Sequence, residues 1–286
     1  MLKIFIIILI VIFIVLLAVG IIDGNRFEVV NEEFELPNLT KKCRFVMISD
    51  LHNKVYGNKN DKVIEAVRTA NPDFIIIAGD LITSHVKEST DPGVNLVNAL
   101  SKDYKVFYGM GNHETRMKQD RGTFGDKFDR LIKGVEHPNV TVLANESCCL
   151  DEYNIRMTGL ELERMYFAHL RKRKMSENYM EEHVGKVKDN CCNILIAHNP
   201  DYFEEYAKWG ADFVLSGHVH GGIMRIPFLG GVIAPSYKLF PKYDGGVFYE
   251  GKSVMLLGRG MGAHTIPFRF FNPAQLYVVT LIPKGK

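Results

Sequence analysis

Five times along the chain a short apolar run stops abruptly at aspartate, glycine, asparagine or histidine, and this repetition restricts the fold more than any other feature. Residues 44–49 lead into Asp50-Leu51-His52, and residues 73–78 (DFIIIA) into Gly79-Asp80. Residues 105–108 precede Gly111-Asn112-His113-Glu114, residues 193–197 precede His198-Asn199-Pro200, and residues 211–216 precede Gly217-His218-Val219-His220-Gly221-Gly222. Continuous apolar runs of this length, rich in β-branched side chains, suit strands covered on both faces. His218 and His220, two residues apart, project to the same side of an extended backbone, and the flanking glycines let the main chain approach an ion closely.

The segments between these runs read as helices. Residues 59–70 carry Val63, Ile64, Ala66 and Val67 on one stripe and close before Asn71-Pro72. Residues 94–101 and 202–209 are further helices, as are residues 123–133, with Phe124, Phe128, Leu131 and Ile132 apolar. Residues 140–143 and 155–160 are expected strands, and residues 161–188 a charged helical stretch containing Arg171-Lys172-Arg173-Lys174. That basic run is read as a solvated face or as a contact for anionic headgroups. Beyond Gly222, residues 246–249, 253–257 and 275–282 are expected as strands of a second, more antiparallel sheet. The expected fold is α/β: two facing mixed β-sheets flanked by helices, with the ligand loops converging at one end.

The N-terminus departs from globular composition. Residues 4–22 carry no charge and are almost all Ile, Val, Leu or Phe, with Lys3 before them and Asp23 after. At about 1.5 Å per residue the run spans about 28 Å, close to the roughly 30 Å hydrocarbon core of a bilayer. A cleaved signal peptide is the rival reading, given Ala18-Val19-Gly20, but the run exceeds the roughly 7–15 apolar residues usual there. The division is therefore 1–23 as a transmembrane anchor, 24–42 as a polar connector holding a first edge strand, and 43–286 as the catalytic domain. Lys3 ahead of the run, with Glu28, Glu32, Glu33 and Glu35 behind it, places a single-pass protein in the cell membrane with its domain outside the cytoplasm. A net charge of +2 is too small for a nucleic-acid footprint, so no nucleic-acid partner is expected. The five cysteines, four of them in the adjacent pairs Cys148-Cys149 and Cys191-Cys192, lack zinc-finger spacing and read as free thiols.

Asp50, His52, Asp80, Asn112, His198, His218 and His220 form an oxygen-and-imidazole donor set that suits Mn, Fe or Zn. Seven donors exceed one tetrahedral ion, and two divalent ions sharing a carboxylate are the economical arrangement. Such pairs hydrolyse phosphate esters by acidifying a water and neutralising phosphoryl charge. No Gly-x-Ser-x-Gly elbow, Walker loop or cysteine nucleophile competes.

The ordered series Asp-x-His, Gly-Asp, Gly-Asn-His-Glu, His and Gly-His-x-His resembles the calcineurin-like metallophosphoesterase superfamily over roughly residues 44–283. Gly-His-x-His-Gly-Gly followed by Arg225-Ile226-Pro227 is most similar to its membrane-associated bacterial branch. The resemblance implies that Asp50, His52 and His220 hold one metal, that Asn112, His198 and His218 hold the other, and that Asp80 bridges them. It implies that His113 faces the scissile phosphate, with Glu114 orienting that imidazole or capping the next helix. Thr83 stands where phosphoprotein phosphatases carry an aspartate, which argues against a protein phosphatase, and Ile223 where the branch often has glutamine. Arg259 is either a phosphate contact or part of a structural turn, and His85, His137, His169, His183 and His264 have no ligand context. The function expected is hydrolysis of a phosphoester, phosphodiester or pyrophosphate of a lipid-linked or cell-envelope substrate. The alternatives are a nucleotide phosphodiesterase and a non-catalytic, membrane-tethered metal-binding module.

Overall fold

The computed structural model describes residues 1–168, 172–222, 224–226, 228–233, 239–263 and 268–285. Helix α1 (Leu2–Asn25) is apolar all round and solvent-exposed along its length until Gly20, Asp23 and Gly24, which are buried in its last turns. Strand β1 (Phe27–Leu36) follows directly, so most of the acidic connector is a sheet edge. Next come β2 (Cys43–Ile48), α2 (Asp61–Ala70), β3 (Phe74–Ala78), α3 (Asp91–Leu100), β4 (Lys105–Gly109) and α4 (Asn112–Gln119). The short helices α5 (Arg121–Phe124) and α6 (Lys127–Gly134) lead to β5 (Val140–Leu143), β6 (Glu146–Leu150) and β7 (Ile155–Leu160). Then follow α7 (Tyr179–Val184), β8 (Cys192–Ala197), α8 (Phe203–Trp209), β9 (Phe213–Ser216), β10 (Arg225–Ile226), β11 (Gly230–Gly231), β12 (Gly246–Glu250), β13 (Ser253–Leu257) and β14 (Ala274–Pro283).

Two six-stranded sheets face one another, ordered β1-β14-β2-β3-β4-β5 and β12-β13-β9-β8-β7-β6. Period-two alternation sorts each strand's side chains between two faces. Phe45, Met47, Phe74, Ile76 and Phe107 point inward to meet Ile194, Ile196, Phe213 and Leu215 of the opposing sheet. Val46, Ile48, Ile75, Ile77 and Val106 point outward to pack beneath α2, α3 and α6. On the far side, Leu195, Val214 and Met255 lie beneath α7 and α8 with Tyr202, Phe203 and Tyr206. The strands β2, β3 and β4 run parallel, as do β7, β8, β9 and β13, so the loops after β2, β3, β4, β8 and β9 open at the same end.

Four expectations are corrected. Residues 275–282 do not join the second sheet: β14 inserts into the first, antiparallel to β2 and parallel to β1. The second sheet is parallel at its centre and antiparallel at its edges, through β6 and β12. The helix expected over 123–133 is split at Gly125, whose φ of 57° is costly inside a right-handed helix. The charged stretch is largely non-helical, with a 3₁₀ turn at Arg164–Phe167 and then α7, because only Met175, Tyr179, Met180 and Val184 reach the core. Lys172 in the basic run lies over the Tyr202 ring at 4.7 Å and 3.6 Å from Glu205, so α8 takes up part of its charge. Arg171, Ile223, Pro227, His169 and His264 lie outside the described residues.

Phe213 is fully buried between the sheets, its ring 4.9 Å from that of Phe34. Phe213→Ala is expected to cost about 3–5 kcal/mol, read as a lower urea midpoint at unchanged m-value in detergent-solubilised protein. The exposed Tyr249→Ala is expected to stay within about 0.5 kcal/mol of the parent.

Candidate metal centre

The loops after the parallel strands are laced together by main-chain hydrogen bonds. Asp50 N–H donates to Gly79 O (3.0 Å) and His52 N–H to Asp80 O (3.1 Å), joining the loops after β2 and β3. Gly217 N–H donates to His198 O (3.0 Å), and Met261 N–H to Ser49 O (3.0 Å), bringing in β8, β9 and the segment after β13. The carboxylates then reach across: Asp50 Oδ1 accepts His218 N–H (2.8 Å), and Asp80 Oδ1 accepts His113 N–H (2.9 Å). Asp50, His52, Asp80, His218 and His220 all have left-handed backbone, with φ between 48° and 74°. Such φ values cluster at functional sites and are least costly for Asp, Asn and His. The approach is close enough to demand glycine nearby: a Cβ on Gly111 would stand 2.2 Å from Asp80 Oδ1, and one on Gly217 2.3 Å from Asp50 Oδ2.

The donor atoms gather as Asp50–His52–His220 and Asp80–His198–His218, each within 4.8 Å, with His52–Asp80–His113 a third such group between them. In the first, His52 Nε2 lies 3.0 Å from His220 Nε2, and His220 Nε2 lies 3.3 Å from Asp50 Oδ1. In the second, His198 Nε2 lies 3.0 Å from Asp80 Oδ2, and Asp80 Oδ2 is also 3.8 Å from His52 Nε2. Asp80 thus stands between the sets. Asn112 opens α4 with Oδ1 buried and without a hydrogen-bond partner, as is Asp50 Oδ2. His198 Nε2 approaches Asp80 without the alignment of a hydrogen bond, while its Nδ1 is 2.7 Å from Ala78 O, which turns Nε2 toward the centre. Buried acceptors facing one another unsatisfied are costly. Separations of about 3.0–3.4 Å are the edges of a coordination polyhedron with bonds near 2.1 Å, so these residues fit divalent cations.

The electrostatics agree. Burial, opposed by His198 and reinforced by Asp80, drives the Asp50 carboxyl up to about 6. For Asp80, burial is outweighed by His198, His113 and His52, which hold it well below the carboxylate range. For His198 the sense is reversed: burial lowers it, but Asp80 and Asp50 together raise it to about 10.

Glu114 is fully buried. Its carboxylate accepts N–H bonds from Asp80 (3.0 Å), Leu81 (3.0 Å) and Gly111 (2.9 Å) and the Tyr108 hydroxyl (2.8 Å), capping α4 and clamping the β3 and β4 loops. Burial first, and Asp80 second, push it up to about 7. A partner of His113 missed in the sequence is Ser84, whose N–H donates to Nδ1 (2.7 Å) and whose Oγ lies at 2.9 Å. An accepting Nδ1 places the ring proton on Nε2, 4.0 Å from Asp80 Oδ2. Arg269 and Asn272 were also missed. The buried Arg269 guanidinium donates to Gly262 O (2.5 Å), Asn272 O (2.8 Å) and His220 O (3.1 Å), and Asn272 Nδ2 to His220 O and Gly222 O (both 2.7 Å). No glycine flank or periodicity marks either residue. Arg259 O accepts from Arg269, and its stem passes the Cα positions of Gly221 and Gly245.

Paired Asp/His donor sets at strand ends of two facing sheets are an arrangement suited to two-cation hydrolysis of phosphate esters. The chain belongs to the calcineurin-like phosphoesterases, whose family pattern matches residues 43–222. It is 30% identical over 265 residues to an uncharacterised metallophosphoesterase of Campylobacter jejuni, covering 91% of this chain and 64% of that one. It is 26% identical over 241 residues to the metallophosphoesterase YkuE of Bacillus subtilis (83% and 78%), and 23% identical over 192 residues to the phosphodiesterase YaeI of Escherichia coli (67% and 64%). The chain thus spans just under two thirds of the Campylobacter relative's length.

Because His198 titrates near 10 when the centre holds no cation, it is protonated at pH 7 and must lose its proton to serve as a ligand. Titrating Mn²⁺ into metal-free protein at pH 7 is expected to release protons, with affinity rising as pH rises. Calorimetry in buffers of differing ionisation enthalpy measures the release.

Proposed function

We propose that Asp50, His52 and His220 hold one divalent cation, that Asn112, His198 and His218 hold the second, and that Asp80 is shared. The observation that carries this is Asp80 Oδ2, 3.0 Å from His198 Nε2 in one donor set and 3.8 Å from His52 Nε2 in the other. The hard-oxygen and imidazole donors favour Mn, Fe or Zn. Cations bound there neutralise phosphoryl charge and lower the pKa of a water.

The chain's own residues do the rest. His113, held by Ser84, offers Nε2–H to an oxygen of the scissile phosphate and stabilises charge developing there. Glu114 keeps His113 and Asp80 in register by fixing both loops. Asp50 and Asp80 each hold a histidine main chain from another loop, so the ligand positions are set before substrate arrives.

The substrate proposed is a lipid-linked or cell-envelope phosphodiester or pyrophosphate. The support is α1, a 24-residue helix of mean hydropathy 3.7 and only 6% buried, long and apolar enough to cross a membrane. With Lys3 on the cytoplasmic side, the catalytic domain stands outside the cytoplasm.

Full-chain protein in detergent with Mn²⁺ is expected to hydrolyse a bis-aryl phosphodiester. Asp80→Asn is expected to abolish turnover together with metal content, and His113→Ala to lower kcat by about 10²–10⁴-fold with metal retained. Undiminished turnover in both variants contradicts the assignment. Protease accessibility in right-side-out membranes tests orientation: protection of residues 43–286 would place the domain on the cytoplasmic side instead.

A further inference from the structure

The segment at positions 269–272 touches the end of α1 on one side and the ligand loop on the other. Arg269 N–H donates to Gly20 O (3.3 Å), and Asn272 N–H to Asp23 Oδ2 (3.2 Å). The Phe270 ring packs where a Cβ on Gly20 would stand 2.8 Å away. Asn272 also carries His220 O and Gly222 O. From there the chain enters the β10–β11 hairpin, where Arg225 N–H donates to Phe270 O (3.0 Å). Phe240 N–H then donates to Val232 O (2.9 Å), tying a further loop to the hairpin. The end of α1, the ligand loop and the hairpin are therefore one connected unit.

That unit carries an unusual apolar rim. Among the described residues outside α1, the exposed phenylalanines are Phe228 (107%), Phe240 (59%) and Phe271 (49%), and all lie here beside Ile226 and Leu229. Ile226, Phe228, Leu229 and Phe271 line one cavity of about 460 Å³, with the Arg225–Asp244 pair and Gly230 completing its wall. All three phenylalanines have left-handed backbone, with φ of 70°, 47° and 53°. A water-facing turn meets that conformation at least cost with glycine or asparagine. Bulky aromatic residues there give up backbone stability and expose apolar area worth about 25 cal/mol per Å² once removed from water.

We propose that this rim is a membrane-interface surface: with α1 crossing the bilayer, Ile226, Phe228, Leu229, Phe240 and Phe271 seat at the headgroup–acyl boundary. The inference rests on the reading of α1 as a membrane anchor. What identifies the occupant as lipid is continuity, since the rim is hydrogen-bonded through positions 269–272 to the turn at which α1 would leave the bilayer. Aromatic and aliphatic side chains about 5–10 Å into this boundary are favourable there as they are not in water. The ligand loop adjoins the rim, so the phosphoester substrate class is one presented at a lipid surface.

The test uses full-chain protein in phosphatidylcholine vesicles, with Trp209→Phe removing the only tryptophan and Phe228→Trp supplying a reporter. Tyr249→Trp, in β12 at the end of the sheet away from the ligand loops, is the water-exposed reference. The expected result is co-flotation with vesicles after alkaline carbonate, blue-shifted emission from position 228 and quenching by brominated lipid. Co-flotation with emission matching the Tyr249→Trp reference overturns the rim while leaving the anchor intact. Blue-shifted but unquenched emission means that protein covers the rim, as in a second copy of this chain, and also overturns it. Loss of the protein from the vesicles overturns the anchor reading and the rim with it. Phe240→Trp repeats the measurement where Phe228→Trp does not fold.

Discussion

Three carboxylates, Asp50, Asp80 and Glu114, are fully buried at one end of the sheets, and none is ion-paired with lysine or arginine among the described residues. Burying a charge without a counter-ion is among the most costly arrangements a protein can hold. Glu114 is compensated by main-chain N–H groups and a tyrosine, which makes it a structural clamp. Asp50 and Asp80 are compensated by N–H bonds and histidines whose nitrogens crowd the same small volume. Two divalent cations held there, as proposed, would resolve that crowding.

The same constraint explains the backbone. Pulling loops from five strands to within ligand distance requires left-handed φ at Asp50, His52, Asp80, His218 and His220 and bare Cα positions at Gly111 and Gly217. Each left-handed residue costs on the order of 1 kcal/mol, which cations bound to the native state alone, as proposed, would offset by mass action. Beneath His220, Arg269 and Asn272 form a polar floor that also reaches Asp23 at the end of α1. The N-terminal helix is thus continuous with the catalytic scaffold.

Much of this was legible in the chain. The apolar runs before Asp50, Asp80, His198 and His218 are strands because nothing else buries both faces of so short a segment, and their polar ends are where the sheet must stop. The histidine pair at 218 and 220 was expected on one side of an extended backbone, but both residues are left-handed, with φ of 74° and 54°, and they join different donor sets. What escaped was long-range. An apolar run such as 275–282 announces a strand but not its neighbours, so the insertion of β14 beside β2 could not be read. Hairpin strand β6, with Glu146, Ser147 and two cysteines, shows no clean alternation. Ser84 acts on His113 largely through a main-chain N–H, which any residue supplies, and Glu114 clamps loops through backbone donors that leave no trace in residue identity.

The claim on which everything else turns is that two cations share Asp80. Electron paramagnetic resonance of the Mn²⁺-loaded protein addresses it directly. An exchange-coupled spectrum at two ions per chain, replaced in Asp80→Asn by weak or isolated-ion signals, is the expected result. A spectrum of isolated Mn²⁺ in the parent protein at saturating metal, unchanged in Asp80→Asn, would contradict it.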